Sequence, residues 1–179
     1  CTATPSFTAP TASDNCSVAT VNIISTTTAT GSCAGNYSVT RIWDATDASA
    51  NHSGTVSQKI TVQDTKAPTF TSAAASLNAT IECSSTAAIA TAQGLQPVAV
   101  DACGGTVTYN KTSGSFVADA GCVHSGTFTN TWTATDVCGN TSTATFTQVI
   151  TITDLTAPVF TSAAASLNAT IECSSTAAI

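Results

Sequence analysis

The sequence contains few charged side chains and very few basic ones. Charged residues make up 8% of the chain, against roughly a quarter of an ordinary soluble domain. Four lysines and arginines stand against 10 aspartates and glutamates, which gives a formal net charge of −6. Nucleic-acid phosphates and anionic lipid surfaces both bind basic faces. We therefore expect neither as a partner.

Long apolar segments and a leader are also missing. The sequence has no run of about 18 uninterrupted apolar residues, the length that a membrane-spanning helix needs. No charged-then-apolar segment follows Cys1, so any export signal or anchor is expected outside this sequence. We expect no membrane insertion by these residues.

Catalytic constellations are scarce as well. His52 and His124 occupy non-equivalent positions, and no Ser-His-Asp or Cys-His pair recurs along the chain. We interpret both histidines as solvated loop residues. Glu82 and Glu172 are one repeat position in successive copies, so a carboxylate pair for glycoside hydrolysis would have to form across a whole domain. We expect no enzymatic activity.

Threonine and serine supply the polar surface, and they alternate with apolar residues. Residues 126–136 place Phe128, Trp132 and Ala134 on one face and threonines on the other, which predicts a half-buried strand. After turn residues 137–140, a second alternating segment carries Ala144, Phe146, Ile150 and Ile152. The two segments predict a long hairpin, and Trp43 lies in its counterpart earlier in the chain.

Shorter strands are predicted on the amino-terminal side of this hairpin, at residues 69–71, 79–83, 97–100, 106–109 and 115–118. About seven strands in a 90-residue unit are typical of an immunoglobulin-like sandwich. The predicted fold class is therefore all-β, built from tandem immunoglobulin-like β-sandwich repeats.

A tandem repeat explains the unit length. Residues 67–89 return at 157–179 with one change, Thr69 to Val159, so the period is 90 residues. Pro68 and Pro158 mark stiff, extended connections between units. We expect unit one at 1–66 without its first strands, a complete unit two at 67–156, and the first strands of a third unit at 157–179. Such arrays usually span distance or multiply a weak contact.

Three motifs carry a family resemblance. They are the run 133–140 (Thr-Ala-Thr-Asp-Val-Cys-Gly-Asn), Asp101-Ala102-Cys103, and the Asp-x-x-Ala-Pro junctions. Together they resemble HYR-like immunoglobulin-type repeats of very large surface proteins in Bacteroidota, some of which are gliding-motility adhesins exported by the type IX secretion system. The resemblance implies an extracellular, cell-surface location and a role in adhesion or gliding. Unit one departs from the motif, with Ser49 where Cys138 stands in unit two.

The cysteines predict a disulfide framework. Unit two carries Cys83, Cys103, Cys122 and Cys138, which allow three pairings. Cys122 and Cys138 flank a strand of about ten residues, whose ends lie about 30 Å apart, so these two are not expected to pair. Disulfides imply an oxidising location outside the cytoplasm. A zinc site is disfavoured because no closely spaced Cys or His pair occurs.

Tracing the strands alternately up and down selects one of the remaining pairings. It places Cys83 beside the Cys138 turn, and Cys103 beside Cys122. The predicted bonds are Cys83–Cys138 and Cys103–Cys122 in unit two, and Cys16–Cys33 in unit one. Cys1 is then expected to be single, because its partner position is Ser49.

Four aspartates form a candidate calcium site. Asp101 and Asp154 are expected at one end of unit two, and Asp14 and Asp64 at the matching end of unit one. Carboxylates at a domain junction can bind a hard cation and stiffen an array. The competing interpretation is that these residues cap turns, since Asp favours turns and few carboxylates are available for six to eight ligands. No other cofactor is predicted.

The sequence favours a structural stalk or filament of an extracellular surface adhesin. Its expected partners are neighbouring repeats of the same chain, surface polysaccharide, or other copies of itself. One alternative is an array of carbohydrate-binding modules, with Trp43 and Trp132 stacking on sugars rather than packing in the core. Another is a self-assembling filament in which neighbouring chains add strands to one another.

Overall fold

The computed structural model describes residues 3–170, and these form an all-β sandwich architecture with one short helix. In its described residues, 3–66, unit one has three strands, β1 (Thr20–Thr30), β2 (Tyr37–Thr46) and β3 (Val56–Val62), in an antiparallel sheet ordered β1-β2-β3. Trp43 on β2 is buried, and Phe7 packs edge-on against it at 6.0 Å between ring centroids. The aromatic pair covers one face of this small sheet.

Seven strands fall within residues 67–156. The main sheet has the order β5-β10-β9-β7, with β8 also paired to β9, and β4 pairs with β6 in a second sheet. Both the all-β class and the strand number of unit two agree with the expectation from the sequence. The strands are β4 (Thr69–Phe70), β5 (Ala79–Glu82), β6 (Ala99–Val100), β7 (Thr108–Ser113), β8 (Val117–Asp119), β9 (Cys122–Thr135) and β10 (Phe146–Thr153).

The core of unit two lies along the β9–β10 hairpin. Trp132 and Ile150 are almost completely buried. Phe70 from the second sheet packs against Phe146, with 5.7 Å between the ring centroids. Fully burying side chains of this size contributes about 1.5–3 kcal/mol each. The predicted alternation is confirmed at these positions. Ala144 is exposed instead of inward-facing, because β10 begins only at Phe146.

Helix α1 (Thr86–Gly94) was not predicted. Its sequence, Thr-Ala-Ala-Ile-Ala-Thr-Ala-Gln-Gly, is rich in alanine, the strongest helix former, and Pro97 follows soon after its end. Ala92 is its buried residue and packs with Ile150 and Ile152 of β10. Within residues 3–170 no helix has the length and apolar character needed to cross a bilayer.

Strand β5 runs parallel to β10, with Ala79 opposite Ile150 and Glu82 opposite Thr153. The up-and-down trace assumed from the sequence is wrong at this point. The chain reaches β6 from β5 through α1, so these strands are not joined by a tight hairpin turn. As a result Cys83 follows β5 at the end of the sheet where β10 ends, and its backbone N–H donates to the Thr153 carbonyl at 2.8 Å.

Two amides occupy the interior between α1 and the sheet. Asn130 and Gln148 are fully buried, and Asn130 Nδ2 donates to Gln148 Oε1 at 2.9 Å. Gln148 Nε2 donates in turn to the carbonyls of Leu77 at 2.7 Å and Ala92 at 3.0 Å. Asn130 Nδ2 also reaches Gln93 Oε1 at 2.8 Å. This network fastens the helix to the hairpin through two fully buried side chains, Asn130 and Gln148.

We predict that Gln148→Ala lowers the free energy of unfolding by about 3 kcal/mol, because it leaves several buried hydrogen-bonding groups without partners. The matched control is Gln58→Ala at the equivalent position of unit one, where Gln58 Oε1 accepts only an exposed bond from Thr8 N. Urea denaturation of both variants measures the difference. Equal losses in the two variants would contradict this role for the buried amides.

Candidate functional site

The junction between units one and two is held by a covalent bond. Cys33, in the connection between β1 and β2, forms a disulfide with Cys138, in the turn after β9, and their Cα atoms lie 5.3 Å apart. The bond links residues 105 positions apart in the sequence. It crosses the repeat boundary, which makes this junction the candidate functional site.

Close packing surrounds that disulfide. A Cβ added at Gly105 would lie 3.0 Å from Val137 Cγ2 and 3.2 Å from the Ala34 Cβ, and the Gly105 φ of +93° is itself one that favours glycine. Asn140 Nδ2 donates to the Asp64 carbonyl at 3.3 Å. The junction is therefore a fitted contact between loops of the two units as well as a covalent bond.

The Cys138 turn is organised by Asp136, which is only 5% exposed. Its carboxylate accepts the backbone N–H groups of Cys138 and Asn140, each at 2.8 Å, and the Asn140 side chain at 2.8 Å. Burial raises the pKa of Asp136, but these donated hydrogen bonds outweigh burial and leave the pKa below its ordinary value. An ionised Asp136 therefore holds the turn that presents Cys138 and Asn140 to unit one.

Unit one repeats this turn without the cysteine. Asp47 accepts the backbone N–H groups of Ser49 and Asn51 and the Asn51 side chain, all at 2.8 Å. The hydrogen bond from the Asn51 side chain is the largest cause of its lowered pKa. The Asp-x-x-x-Asn spacing is thus a turn device in its own right, and Cys138 is an addition to it.

The cysteines pair differently from the prediction. Cys16, Cys83 and Cys122 are free thiols, so the predicted Cys83–Cys138, Cys103–Cys122 and Cys16–Cys33 bonds are wrong. Cys103 is disulfide-bonded, but its partner is not Cys122. The prediction for Cys1 lies outside the described residues. The expectation that Cys122 and Cys138 do not pair with each other agrees with the structure.

Strand direction explains the difference in unit two. Because β5 is parallel to β10, Cys83 lies near Thr153, at the end of the sheet where β9 begins with Cys122. Cys103 precedes β7, whose first residue pairs with Thr135 at the end of β9, and so lies at the Cys138 end. Each predicted bond therefore joined cysteines from opposite ends.

A strand missed in the sequence explains the difference in unit one. Strand β1 contains 11 residues and lies between Cys16 and Cys33. Its ends are about 36 Å apart at 3.3 Å per residue, far beyond the reach of a disulfide. The missed signal is the run of valine, isoleucine and threonine from Thr20 to Thr30, whose alternation is irregular because of a bulge between Ile23 and Ser25.

Only two of the four candidate calcium ligands lie together. Carboxylate oxygens of Asp64 and Asp101 and the Cys103 sulfur lie within 4.8 Å of one another at the junction. One oxygen of each aspartate, Oδ2, is buried and accepts no hydrogen bond. These two carboxylates can supply oxygen ligands to a hard cation, although fewer than calcium requires from protein and water together. Calcium binding remains a prediction.

Asp14 and Asp154 lie elsewhere, so the expected placement of these residues is wrong. Asp14 is exposed and caps its own turn by accepting the backbone N–H groups of Cys16 and Ser17 at 2.9 Å. Asp154 lies near Glu82 and Cys83 at the opposite end of unit two from Asp101. Strands β7 and β8 both run antiparallel to β9, which places Asp101 near the Thr135 end of β9 and leaves Asp154 near its Cys122 end.

The histidines and tryptophans take different environments. The side chain of His52 is 65% exposed, and its Nδ1 lies 2.7 Å from Asp44 Oδ2. His124 is also exposed. Trp43 and Trp132 are buried, at 3% and 1% exposure, so neither offers a face for sugar stacking.

An open groove of about 390 Å³ in unit one is lined by residues that include Asp14, Asp44 and His52.

Comparison with known protein families identifies a similarity within unit two. Residues 71–152 match the HYR-like domain with 4 cysteines. This range covers most of unit two and contains its four cysteines. HYR-like domains are extracellular adhesion-type repeats. No curated protein matches the chain.

We predict that removing the junction disulfide in a Cys33→Ser/Cys138→Ser double variant lowers the free energy of unfolding by about 2–4 kcal/mol. Far-UV circular dichroism is expected to stay unchanged, because the bond lies in turns rather than strands. Limited proteolysis of the connection near Pro68 is expected to become faster. Cys16→Ser is the control, since Cys16 is an exposed free thiol; equal stability of the double variant and this control would contradict the prediction.

Acid is predicted to weaken the Asp136 turn. A carboxylate whose pKa is lowered by folding contributes stability above its unfolded pKa of about 3.9, and that contribution is lost as the pH falls through the folded pKa. Asp136→Asn should therefore lower stability at pH 7 and flatten the loss of stability below about pH 4. Denaturation at neutral and acidic pH measures both effects. Asp119→Asn, at an exposed position on β8, controls for net charge; an unchanged acid response in Asp136→Asn would count against the role.

Proposed function

We propose that this chain is part of the stalk of an extracellular surface adhesin, in which repeats space or multiply binding sites. The observation that carries the proposal is the Cys33–Cys138 bond across the repeat boundary. In a chain of independent domains, a pulling force separates neighbours by breaking loop contacts worth about 1 kcal/mol each. A covalent bond at the junction transmits the force from unit to unit instead.

The surface of the chain is consistent with this role. Many exposed side chains on the strands are threonine and serine, which carry no charge, so salt screening has little effect on them. The match of residues 71–152 to an extracellular adhesion-type repeat supports the same assignment. Gliding motility or surface attachment, in a type IX secreted protein, is the specific role that we propose.

Imaging and force measurement test this function. We predict that single-molecule stretching of the chain shows few interdomain extensions under oxidising conditions, and that a reductant introduces an early, low-force extension at the junction. A Cys33→Ser/Cys103→Ser/Cys138→Ser triple variant, which also removes the disulfide of Cys103, should show the early extension without reductant. Identical force curves with and without reductant would remove the mechanical argument. Electron microscopy of native material should show fibres one domain wide.

A self-assembling filament is the second candidate, and the edge of unit one favours it. β1 is an edge strand of 11 residues, with Ile23 and Ile24 about half exposed at 57% and 53%. Long, exposed, apolar edge strands are templates for pairing with another chain. Thick bundles that dissolve on Ile23→Lys substitution would favour this role over a single-chain stalk.

A further inference from the structure

The carboxyl-terminal ends of unit one and unit two share one local geometry. At the end of unit one, the Asp64 N–H donates to Asn36 Oδ1, and Asp64 Oδ1 accepts the Lys66 N–H at 2.9 Å. At the end of unit two, the Asp154 N–H donates to Ser125 Oγ at 3.1 Å, and Asp154 Oδ1 accepts the Thr156 N–H, also at 3.1 Å. Cys33 and Cys122 therefore stand at the same place in successive units, three residues before Asn36 and Ser125 respectively.

The position of Cys33 in unit one is covered by unit two, whereas the equivalent position in unit two, Cys122, is not covered by a neighbouring unit among the described residues. In unit one, Cys33 is bonded to Cys138, and Ala34 packs beside Gly105 of the following unit. In unit two, Cys122 is a free thiol, and Val123, the counterpart of Ala34, is 72% exposed. Leu155, in the segment that leaves unit two, is 79% exposed. We call Cys83, Cys122, Val123 and Leu155 the distal surface.

A further repeat of the same kind is the occupant that fits the distal surface. Residues 157–170 repeat the sequence of 67–80 with one change, Val159 for Thr69. They follow Leu155 of the distal surface after a single residue, Thr156. Phe70 packs against Phe146 within unit two, whereas Phe160 at the same repeat position is fully exposed. The segment therefore has the sequence of a repeat and lacks, among the described residues, the strands that bury its aromatic side chain.

We propose that the distal surface docks the following repeat, and that Cys122 forms a disulfide with that repeat's counterpart of Cys138. The established junction supplies the template, because Cys33 makes this bond to unit two in the present structure. The proposal concerns how repeats join, and it stands whether or not the array carries an adhesive tip.

Cys83 provides a second bond at the same surface. Unit two has two cysteines in disulfides, Cys103 and Cys138, and two free ones, Cys83 and Cys122. Since Cys138 is bonded to Cys33 and the other two are free, neither bond joins two cysteines of unit two. The two cysteines that form disulfides, Cys103 and Cys138, lie at the end of unit two that faces unit one. The two free thiols, Cys83 and Cys122, lie at the distal end. Cys83 accordingly pairs with the following repeat's counterpart of Cys103.

The chemistry is an ordinary thiol–disulfide exchange. The Cys122 thiolate attacks an external disulfide, such as an oxidised disulfide oxidoreductase, and one thiolate leaves. The partner cysteine of the next repeat then displaces the second thiolate. Two protein thiols lose two protons and two electrons, the external disulfide becomes two thiols, and one S–S bond joins the repeats.

Local hydrogen bonds distinguish the two distal thiols. The Cys122 sulfur lies 3.3 Å from Ser125 Oγ, and this hydrogen bond is the main reason that the pKa of Cys122 is lowered. The pKa of Cys83 is raised, chiefly because its thiol donates to Glu82 Oε1 at 3.3 Å. Cys122 therefore forms a thiolate more readily and is the group that reacts first.

The proposal is tested with a longer chain in which the third repeat is completed. Because 157–179 repeats 67–89, adding a copy of residues 90–156 after Ile179 completes a third unit. After air oxidation with a glutathione redox couple, peptide mapping without reductant should join the Cys122 peptide to the added copy of Cys138. Alkylation of Cys122 by N-ethylmaleimide should fall at least about tenfold relative to the 179-residue chain, since a disulfide sulfur offers no thiolate.

Internal controls separate docking from general oxidation. The added copy of Cys122 has no repeat after it and should remain alkylated, as should Cys16, which is exposed in unit one. Changing only the added copy of Cys138 to serine should restore alkylation of Cys122 while the circular dichroism spectrum is kept. A Cys83–Cys122 bond, a Cys122 bond between separate chains, or full alkylation of Cys122 in the folded extended chain would each overturn the proposal.

Discussion

The length of strand β9 is the constraint on which the covalent structure of this chain depends. Its 14 residues separate Cys122 from the Cys138 turn, by about 45 Å at 3.3 Å per residue. A disulfide spans about 6 Å between Cα atoms, so cysteines at the two ends of the strand cannot meet. Bonds at either end must therefore use a partner at that same end, and at the Cys138 end the partner comes from the neighbouring unit.

The direction of β5 decides which cysteines share an end. If β5 were antiparallel to β10, Cys83 would lie beside Cys138 and the repeat could close on itself. The parallel pairing, supported by α1 and the buried Asn130–Gln148 network, moves Cys83 to the other end. A short alanine-rich helix thus has a consequence far from its own position, since it leaves Cys138 available to unit one.

Rigid connection between repeats follows from the same arrangement. The Asp136 turn holds Cys138 and Asn140 in place, the disulfide fixes the distance between the units, and Gly105 allows the two loops to approach. Pro68, which is buried, adds a stiff connection in the chain itself. The polypeptide and the Cys33–Cys138 disulfide both cross this junction, and a hinge at this point would have to deform both.

The sequence by itself determined the strands of unit two, the repeat period and the chemical class of the surface, because alternation and tandem identity are local patterns. Trp132, Phe146 and Ile150 could be placed in a sandwich core from their spacing alone. Neither the α1 helix nor the buried amides Asn130 and Gln148 followed from it, since an alanine run and an inward amide gain their meaning from the groups packed around them. Only the tertiary structure decided the cysteine pairing and separated Asp101 from Asp154, because both depend on whether distant strands run parallel or antiparallel.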